Sequence, residues 1–308
     1  MTQRPASQAT ASRAFILTIG EKAFLIYSFM STLFKGHSLF LIALLLLMSC
    51  QKQAPVAAPQ PSEAQPADTV LRLALVPNRD CLPFYYAGQS GIFRRLGLHV
   101  QITTYRSQLE CDTALLGQSA DVGWTEPAYL QAYGKKAGRV TTLWQTATAW
   151  QLYVPKKLRI AKVKDIAGRT VAASRHSAAL TTMEQALKRV GIQLSDVYCT
   201  QVNNLKLRTG MLTSGQVDAA MLCWPYGSWA SAGGCKVLYT GKAEEKNGCF
   251  VAREKWHKLP RASRQVELLQ KARNMALDSL RQKGNAAYSA ILQREYGLPA
   301  SVADTIKY

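Results

Sequence analysis

The chain has 308 residues, 48% of them hydrophobic, and a formal net charge of +19. Its length and apolar content allow a core large enough for two domains and are not typical of a disordered protein. The positive charge favours an anionic partner, such as a membrane surface or an acidic small ligand. Nucleic acid is not expected, because the first residues predict an exported protein.

Residues 1–49 have the pattern of an export signal. An almost unbroken apolar run covers Leu39–Met48 and is preceded by Lys35. The run is too short to span a bilayer, which needs about 20 apolar residues. A short cationic start before an apolar stretch of about ten residues is typical of a secretory signal, and Met30 is the start that gives it an ordinary length. The alternative is an ordinary buried helix.

Residues 50–69 are predicted to hold the protein at a membrane. The run Leu47-Met48-Ser49-Cys50 resembles the lipobox of bacterial lipoproteins, although Met48 stands where a small residue is usual. The resemblance implies that Cys50 carries a lipid. Gln51–Asp68 is rich in proline, alanine and glutamine and predicts a disordered tether. We therefore expect an exported protein, lipid-anchored to a bacterial membrane and facing the periplasm or the cell exterior.

The rest of the chain alternates between strand and helix patterns. Predicted strands cover 70–76, 99–104, 121–124, 151–154 and 171–173, and predicted helices cover 83–96, 110–116, 126–136, 178–190 and 264–296. Alternation of this kind predicts parallel sheets covered by helices. The helical tail has no strand of its own, so we expect it to pack on a sheet built earlier.

Two segments of the chain end alike. In 116–122 and in 214–220 a helix-like run is followed by a glycine, an aspartate and a short apolar strand. An aromatic residue and a proline come next, at 124–127 and at 224–226. Glycine can take the left-handed conformation that ends a helix, and α/β folds hold ligands at the ends of their strands. The repetition indicates two lobes of similar build, although such a motif is also a common connection from helix to strand.

Polar and aromatic residues at the predicted strand ends are the candidate ligand contacts. The set is Asn78, Gln108, Trp124, Thr125, Glu126, Ser174, Arg175, His176, Ser177, Trp224 and Tyr226. The hydroxyls and the cation at 174–177 precede a predicted helix, and such a helix N-terminus can bind an anion. Alternatively, Ser174 or Ser177 only caps the helix, and Arg175 lies in solvent. Trp124 and Trp224 either sandwich an apolar or planar ligand or belong to the core. Glu126 either binds an ammonium group or only interacts with its helix dipole.

The cysteines, and the absence of metal-binding and catalytic motifs, limit the chemistry expected of this chain. Six cysteines remain besides Cys50, and an even number in an oxidising compartment permits disulfides. Cys81 and Cys111 each follow an early strand and are the candidate pair; otherwise they are small buried apolar residues. Because no Cys-x-x-Cys or His-Glu-x-x-His occurs, we expect no metal. With no nucleophile elbow or phosphate-binding loop either, we expect neither a cofactor nor an enzyme.

The order of several segments matches a known family. They are Leu71–Ala74, Leu82–Ala87, Ser90–Val100, Ala114–Gly123, Asp165–Val171 and Gly215–Ala220. The chain over 70–300 resembles the nitrate/sulfonate/taurine-type solute-binding proteins of ABC transporters, with His99 where that family commonly has Asp. The resemblance implies an α/β, two-lobed periplasmic-binding-protein type 2 fold. Each lobe would have a central, mostly parallel sheet flanked by helices.

The resemblance also implies how the chain is divided and what it does. Lobe I would comprise 70–150 and 250–308, lobe II 151–249, and the chain would cross between them at hinges near Trp150 and Phe250. We expect a monomer that closes on a small anionic ligand, such as a sulfonate, taurine or nitrate, and delivers it to an ABC permease. The alternatives are a thiamine-precursor pyrimidine or another heteroaromatic as the ligand, or a binding fold that acts as an enzyme or as a receptor without transport.

Overall fold

The structure is a computed structural model that describes residues 69–133, 140–242 and 246–308. The predicted export signal, Cys50 and nearly all of the tether lie outside these ranges. Within the described ranges, no helix has the length and apolar content needed to cross a bilayer.

Strands and helices alternate through the first half of the body. They are β1 (Leu71–Leu75), α1 (Leu82–Gln89), α2 (Ile92–Arg95), β2 (Val100–Thr104), α3 (Gln108–Leu116), β3 (Val122–Thr125), α4 (Pro127–Tyr133) and β4 (Val140–Thr146). The sequence predicted a helix with its turn over about 83–96, and the structure divides this span into two helices. Gly91 has a φ of 72° and separates α1 from α2, because a left-handed residue cannot continue a right-handed helix.

The second half repeats the alternation and then becomes helical. It contains β5 (Gln151–Pro155), β6 (Thr170–Ala173), α5 (Ala178–Lys188), β7 (Tyr198–Gln201), α6 (Leu205–Ser214), β8 (Ala219–Leu222), α7 (Tyr226–Ala232), β9 (Cys235–Thr240), β10 (Gly248–Arg253), α8 (Glu254–His257), α9 (Pro260–Lys283), α10 (Ser289–Arg294) and α11 (Ala300–Ala303). The apolar stripe of α9 that the sequence shows is buried, at Leu269, Ala272, Ala276 and Leu280.

The strands form two sheets of five strands each. The first has the order β2-β1-β3-β10-β4 and the second has the order β7-β6-β8-β5-β9. In the first sheet β1 is parallel to β2 and β3, whereas β10 is antiparallel to β3 and β4. In the second sheet β6 is parallel to β7 and β8, and β5 is antiparallel to β8 and β9. Each sheet is therefore mixed: four strands run in one direction, and the strand that arrives from the other sheet, β10 or β5, runs in the opposite direction.

The chain passes between the sheets twice. It leaves the first sheet after β4, enters the second at β5, and returns from β9 to β10. We call the first sheet with its helices lobe I and the second sheet with its helices lobe II. Thr148 and Asn247 join the two connections: the Thr148 N–H donates to Asn247 Oδ1 at 2.8 Å, and Asn247 Nδ2 donates to the Thr148 carbonyl at 2.7 Å.

Buried side chains connect the two lobes. One core contains Leu73 of lobe I together with Leu222 and Tyr226 of lobe II. The Tyr226 hydroxyl donates to the Tyr296 carbonyl at 2.9 Å, and the Tyr296 hydroxyl donates to the Asn78 carbonyl at 2.7 Å. Tyr296, which follows α10, thus contacts both lobes. A second core lies within lobe II, between its sheet and α5.

The predicted disulfide does not form. Cys81 and Cys111 are both free and buried, as are three of the other four cysteines within the described ranges. The Cys111 thiol donates to the Trp124 carbonyl at 3.3 Å. Burial raises the pKa of both thiols well above the ordinary value. The alternative reading of Cys81 and Cys111 as small buried apolar residues fits this environment.

Candidate ligand-binding site

A small cavity lies where the carboxyl ends of β1 and β3 meet lobe II. Its volume is about 30 Å³, which holds roughly one or two water molecules and no larger solute. A second space of about 230 Å³ shares Gln108, Ser174, Ser177 and Asn203 with it. We call the small space the inner cavity and the larger one the outer pocket. They lie at strand ends, where open α/β sheets bind ligands.

The lobes meet across this site through Glu126. Glu126 follows β3 in lobe I, and its Oε2 accepts the Ala178 N–H at the start of α5 in lobe II at 2.8 Å. Ser177 caps the same helix, because its Oγ accepts the Leu180 N–H at 3.2 Å. A helix N-terminus attracts anions through its free N–H groups and its dipole. The helix end that the sequence offered to a ligand's anion therefore receives a carboxylate from the facing lobe.

A second contact between the lobes lies beside the first. Ser107, before α3, and Asn204, before α6, form an isolated antiparallel β-bridge. Each residue also caps its own helix: Ser107 Oγ accepts the Glu110 N–H at 3.3 Å, and Asn204 Oδ1 accepts the Leu207 N–H at 2.9 Å. Both lobes thus bring helix N-termini to the site, and they touch there in this structure.

Two buried carboxyl groups lie at the site. Glu126 is 1% exposed, and burial raises its pKa to about 8; the charge of Asp112 raises it further, while the Ala178 N–H and the positive charge of Arg208 lower it. Burial also raises the pKa of Asp112 to about 7, against the hydrogen bonds from Thr125 at 2.6 Å and Gln108 at 2.7 Å. Both groups therefore change protonation state near neutral pH.

Arg208 on α6 is a fully buried cation that the sequence analysis missed. Its guanidinium donates to the Val202 carbonyl at 2.8 Å, to the Met221 carbonyl at 2.7 Å and to Ser174 Oγ. Burial lowers its pKa to about 10, so it stays positively charged at neutral pH. In the sequence it is one of two basic residues in a polar helical segment, and nothing local marks it for burial. It lines the inner cavity and fixes Ser174 at its wall.

Unpaired polar atoms remain beside the cavity. Asn78 is buried, and its Oδ1 accepts the Cys81 N–H at 3.0 Å, while its Nδ2 has no partner among the described residues. Gln108 donates to Asp112 and to the Trp124 carbonyl, but its Oε1 is also without a described partner. The same holds for Asp112 Oδ2. A free amide donor and free acceptors are groups that a polar ligand could pair with.

The structure brings most of the predicted site residues together. Asn78, Gln108, Trp124, Glu126, Ser174 and Ser177 line the inner cavity, and Arg175 and His176 line the outer pocket with Gln108, Ser174 and Ser177. Arg175 and His176 are exposed, so the outer pocket has a cationic side chain at its surface. Arg106 and Trp150, which the sequence analysis did not select, also line the inner cavity.

The predicted sandwich of Trp124 and Trp224 is wrong for this structure. Trp124 is 2% exposed, and its indole N–H lies 3.2 Å from both Asp80 and Thr146. The Trp224 indole N–H donates to the Lys307 carbonyl at 2.8 Å. Its ring packs against tyrosines of the C-terminal segment: Tyr288, Tyr296 and Tyr308. The two rings therefore have separate partners within the described part of the chain.

Two other predicted residues lie away from the cavity lining. Thr125 is buried, and its hydroxyl donates to Asp112 at 2.6 Å. Tyr226 is in the core and binds the Tyr296 carbonyl. Among the residues that the structure describes, Thr125, Trp224 and Tyr226 belong to neither space. Thr125 holds the Asp112 carboxyl group by its hydrogen bond, and Trp224 and Tyr226 contact Tyr296.

Sequence comparison gives the family of this chain. A family model described as NMT1/THI5 like matches residues 78–233, about half of the chain. The chain belongs to the NMT1/THI5-like family. This span includes the N-termini of α3, α5 and α6 and nearly all residues of the inner cavity. No curated protein sequence matches this NMT1/THI5-like protein.

Solved structures show which fold this NMT1/THI5-like protein has. The alkanesulfonate-binding protein SsuA from Xanthomonas axonopodis pv. citri is 20% identical, with a TM-score of 0.64 over 77% of this chain and 82% of that chain. The periplasmic aliphatic sulphonate-binding protein SsuA from Escherichia coli is 21% identical, with a TM-score of 0.60 over 76% and 80%. The periplasmic nitrate-binding protein NrtA from Synechocystis PCC 6803 is 14% identical, with a TM-score of 0.64 over 76% and 68%. The expected periplasmic-binding-protein type 2 fold is confirmed.

The site of the NMT1/THI5-like protein offers groups of both charges. Arg106, Arg175 and Arg208 are cations, and Asp112 and Glu126 are acids that change protonation near neutral pH. Within the ranges that the structure describes, no group of His, Cys, Asp and Glu residues is arranged to hold a metal ion. These groups can bind a small polar solute by charge and hydrogen bonds.

Proposed function

We propose that this NMT1/THI5-like protein is an extracytoplasmic solute-binding protein that captures a small anionic ligand by closure of its lobes and delivers it to an ABC permease. One observation carries the proposal. Glu126 of lobe I lines the inner cavity and reaches the N-terminus of α5 in lobe II, where its Oε2 lies 2.8 Å from the Ala178 nitrogen. Groups from two lobes thus converge at one place, as lobe closure on a ligand requires.

The anionic ligand class follows from what surrounds the outer pocket. The pocket combines Arg175, His176 and Ser177, the N-cap residue of α5. The carboxyl group of Glu126 now occupies the position where a helix dipole favours an anion. A sulfonate, carboxylate or nitrate group would take this position when Glu126 moves aside. Protonation of Glu126 weakens its hold on the helix, so its raised pKa of about 8 favours this exchange at neutral pH.

A ligand of both charges would use the site most fully. Taurine has a sulfonate, which suits the N-terminus of α5 and Arg175, and an ammonium group, which suits the displaced carboxylate of Glu126. The alkanesulfonate- and nitrate-binding proteins with the same fold are supporting cases for small anions. Closure would then be driven by contacts that exist only when ligand and both lobes meet.

The two connections between the lobes are the place for the closing motion. The side chain of Asn247 binds the backbone of Thr148 in both directions, which keeps the connections together as they bend. Domain closure of this kind concentrates the backbone change in a few residues at such connections. In this proposal the protein is a monomer, and the closed form presents its ligand to the permease.

Export and lipid anchoring complete the proposed function. The apolar run before Cys50 and the proline-rich segment after it support an exported protein held at a membrane by a lipid. A tether leaves the folded body free to approach both its ligand and a permease.

A second candidate ligand is a pyrimidine precursor of thiamine. The observation that favours it is the pair of buried acids, Glu126 and Asp112, together with the rings of Trp124 and Trp150 that line the inner cavity. A carboxyl group can bind an amino group and a ring nitrogen side by side, and an aromatic wall suits a planar ring. In this case Glu126, and not the helix N-terminus, would be the main contact.

Calorimetry with a ligand panel tests the proposal. The panel is taurine, alkanesulfonates, nitrate and aminopyrimidines, and the protein is the chain from Gln65, which is one compact unit. We expect an anion to bind. Arg175→Gln should weaken its binding by roughly 10- to 100-fold, since hydrogen bonds to charged groups contribute about 1.5–3 kcal/mol.

Lys188→Gln is the matched control, because Lys188 is exposed at the far end of α5. It should leave the affinity unchanged. An aminopyrimidine that binds while all anions fail would favour the second candidate. If nothing in the panel binds, or if Arg175→Gln and Lys188→Gln behave alike, the anion proposal is wrong.

A further inference from the structure

A large groove lies at the opposite end of lobe I from the candidate ligand site. Its volume is about 730 Å³, and its lining includes Val70, Arg72, Asp121, Arg253, Lys255 and Arg261. We call it the basal groove. Neither the proposed closure of the lobes nor the ligand site uses any of these residues.

The basal groove has an excess of positive charge. Its lining holds four cations, Arg72, Arg253, Lys255 and Arg261, and one carboxylate, Asp121. Arg72 and Arg253 share that carboxylate, each at 2.7 Å. One negative charge therefore lies between two positive ones. The Arg72 side chain is still 41% exposed, so part of its charge faces solvent.

The groove also lies where the chain enters the folded body. Val70 immediately precedes β1, whereas Asn78, beyond the other end of β1, lines the inner cavity. A strand rises about 3.3 Å per residue, so groove and cavity are separated by on the order of 20 Å. Cys50 precedes Thr69 by 19 residues. A chain of that length spans at most about 65 Å.

We propose that the basal groove docks on an anionic phospholipid surface. The proposal rests on the extracytoplasmic membrane location of the proposed function, but not on its ligand. A lipid on Cys50 would hold the start of the folded body, which this groove adjoins, within reach of the bilayer and raise the effective concentration of the groove there. Each basic residue at an anionic membrane surface strengthens binding by roughly fivefold. Phospholipid is favoured over an acidic protein because the charge lies beside the point where the tether joins the body.

Docking through this groove sets the orientation of the protein. Since the groove and the inner cavity lie at opposite ends of β1, the docked protein has its ligand site turned away from the bilayer. The site is then open to solute from the surrounding compartment.

Co-sedimentation with vesicles tests the docking. The chain from Gln65 is mixed with phosphatidylcholine vesicles or with vesicles that contain 30% phosphatidylglycerol, at low and high salt. We expect binding only to the anionic vesicles, and weaker binding at high salt, because salt screens charges at a surface. The double variant Lys255→Glu, Arg261→Glu should bind at least about tenfold more weakly.

The matched control has the same change in net charge on lobe II. Lys164→Glu, Lys188→Glu alters two exposed residues away from the groove and should change binding by less than about threefold. Lys255→Glu alone, at an exposed position, keeps the test valid if the double variant does not fold.

Equal loss of vesicle binding in both double variants, or equal binding to neutral and anionic vesicles, would overturn the proposal. So would binding to a purified permease through these residues without binding to vesicles. Loss of vesicle binding leaves the ligand panel unaffected, so failure of either proposal is recognised separately.

Discussion

Asp121 in lobe I and Asp218 in lobe II make the same backbone contacts. The Asp121 N–H donates to the Arg72 carbonyl at 2.8 Å, and the Asp218 N–H donates to the Thr170 carbonyl at 2.9 Å. In return, each carboxylate accepts the N–H of that same residue, from Arg72 at 3.0 Å and from Thr170 at 2.9 Å. The aspartate that the two repeated segments share therefore makes the same contact in both lobes: it joins β1 to β3 in lobe I and β6 to β8 in lobe II.

The two aspartates differ in their ionic partners. Asp121 lies 2.7 Å from both Arg72 and Arg253, whereas Asp218 lies 3.8 Å from Arg169 alone among the described residues. The side chain of Asp121 is 5% exposed and that of Asp218 is 28% exposed. Burial acts to raise the pKa of Asp121, but the hydrogen bonds from Arg72 and Arg253 together lower it below its ordinary value. The repeated segment therefore sets the backbone contact of the aspartate in both lobes. The second arginine of Asp121, Arg253, comes from β10, the strand that returns from lobe II.

Replacing each aspartate by asparagine should reveal the largest difference in stability between the two lobes. Asp121→Asn should lower the free energy of unfolding by about 3 kcal/mol, because hydrogen bonds to charged groups are lost and two arginines lose their partner. Asp218→Asn should cost about 1 kcal/mol or less, as expected for a more exposed ion pair. Urea denaturation at pH 7 measures both values.

Stability at acid pH provides a second test of Asp121 and Asp218. The pKa of Asp121 is lowered in the folded state, so its contribution is present above the ordinary value of 3.8 and is lost as the pH falls through the folded pKa. The gap between the wild type and Asp121→Asn should therefore close only in acid. Equal losses for the two variants at pH 7 would contradict the difference between the lobes.

The two tryptophans that follow the repeated segments should also respond differently. Trp124→Phe should weaken binding of whichever panel ligand binds by roughly tenfold, because Trp124 lines the inner cavity. Trp224→Phe should leave that affinity unchanged and lower stability by about 1–2 kcal/mol, through loss of its hydrogen bond to Lys307 and its ring contacts. Calorimetry and urea denaturation of the two variants provide the comparison. Equal loss of affinity in both would restore the sandwich that the sequence suggested.

The contact of Glu126 with lobe II provides a further comparison, through the dependence of stability on pH. The pKa of Glu126 is about 8 in the folded protein, against an ordinary value of 4.5. The unfolded chain loses this proton first, so folding becomes less favourable as the pH rises from about 4.5 to 8. The Tm should fall over this range, and Glu126→Gln should reduce the fall by about 2–4 °C for each kcal/mol removed. Asp112 contributes in the same direction, because its pKa is about 7.

Glu267→Gln is the control for this measurement, since Glu267 is exposed and pairs with Arg264 at 3.2 Å on α9. It should leave the dependence of Tm on pH unchanged. If Glu126→Gln and the wild type have parallel curves, then the buried carboxyl of Glu126 does not titrate as described.

The sequence predicted helices and strands better than it predicted which side chains contact each other. The strand at 71–75 and the helix that begins after Ser177 follow from periodicity and capping, which act over a few residues. The repeated glycine was less informative: Gly215 has a φ of 83°, but in the first copy Gln118, and not Gly117, takes the left-handed conformation. Where a helix ends was therefore predictable, whereas the residue that makes the turn was not.

By itself the sequence determined the two lobes, their alternating elements and the polar strand ends at the site. Only the tertiary structure decided which groups meet there. Glu126 binds the N–H of Ala178, 52 residues away, and Trp224 binds a carbonyl 83 residues away. Arg208 is buried because Val202 and Met221 offer carbonyls that no local pattern reveals. Periodicity and capping are short-range, but the partner of a buried charge depends on how separate segments pack, and that is settled by the whole fold.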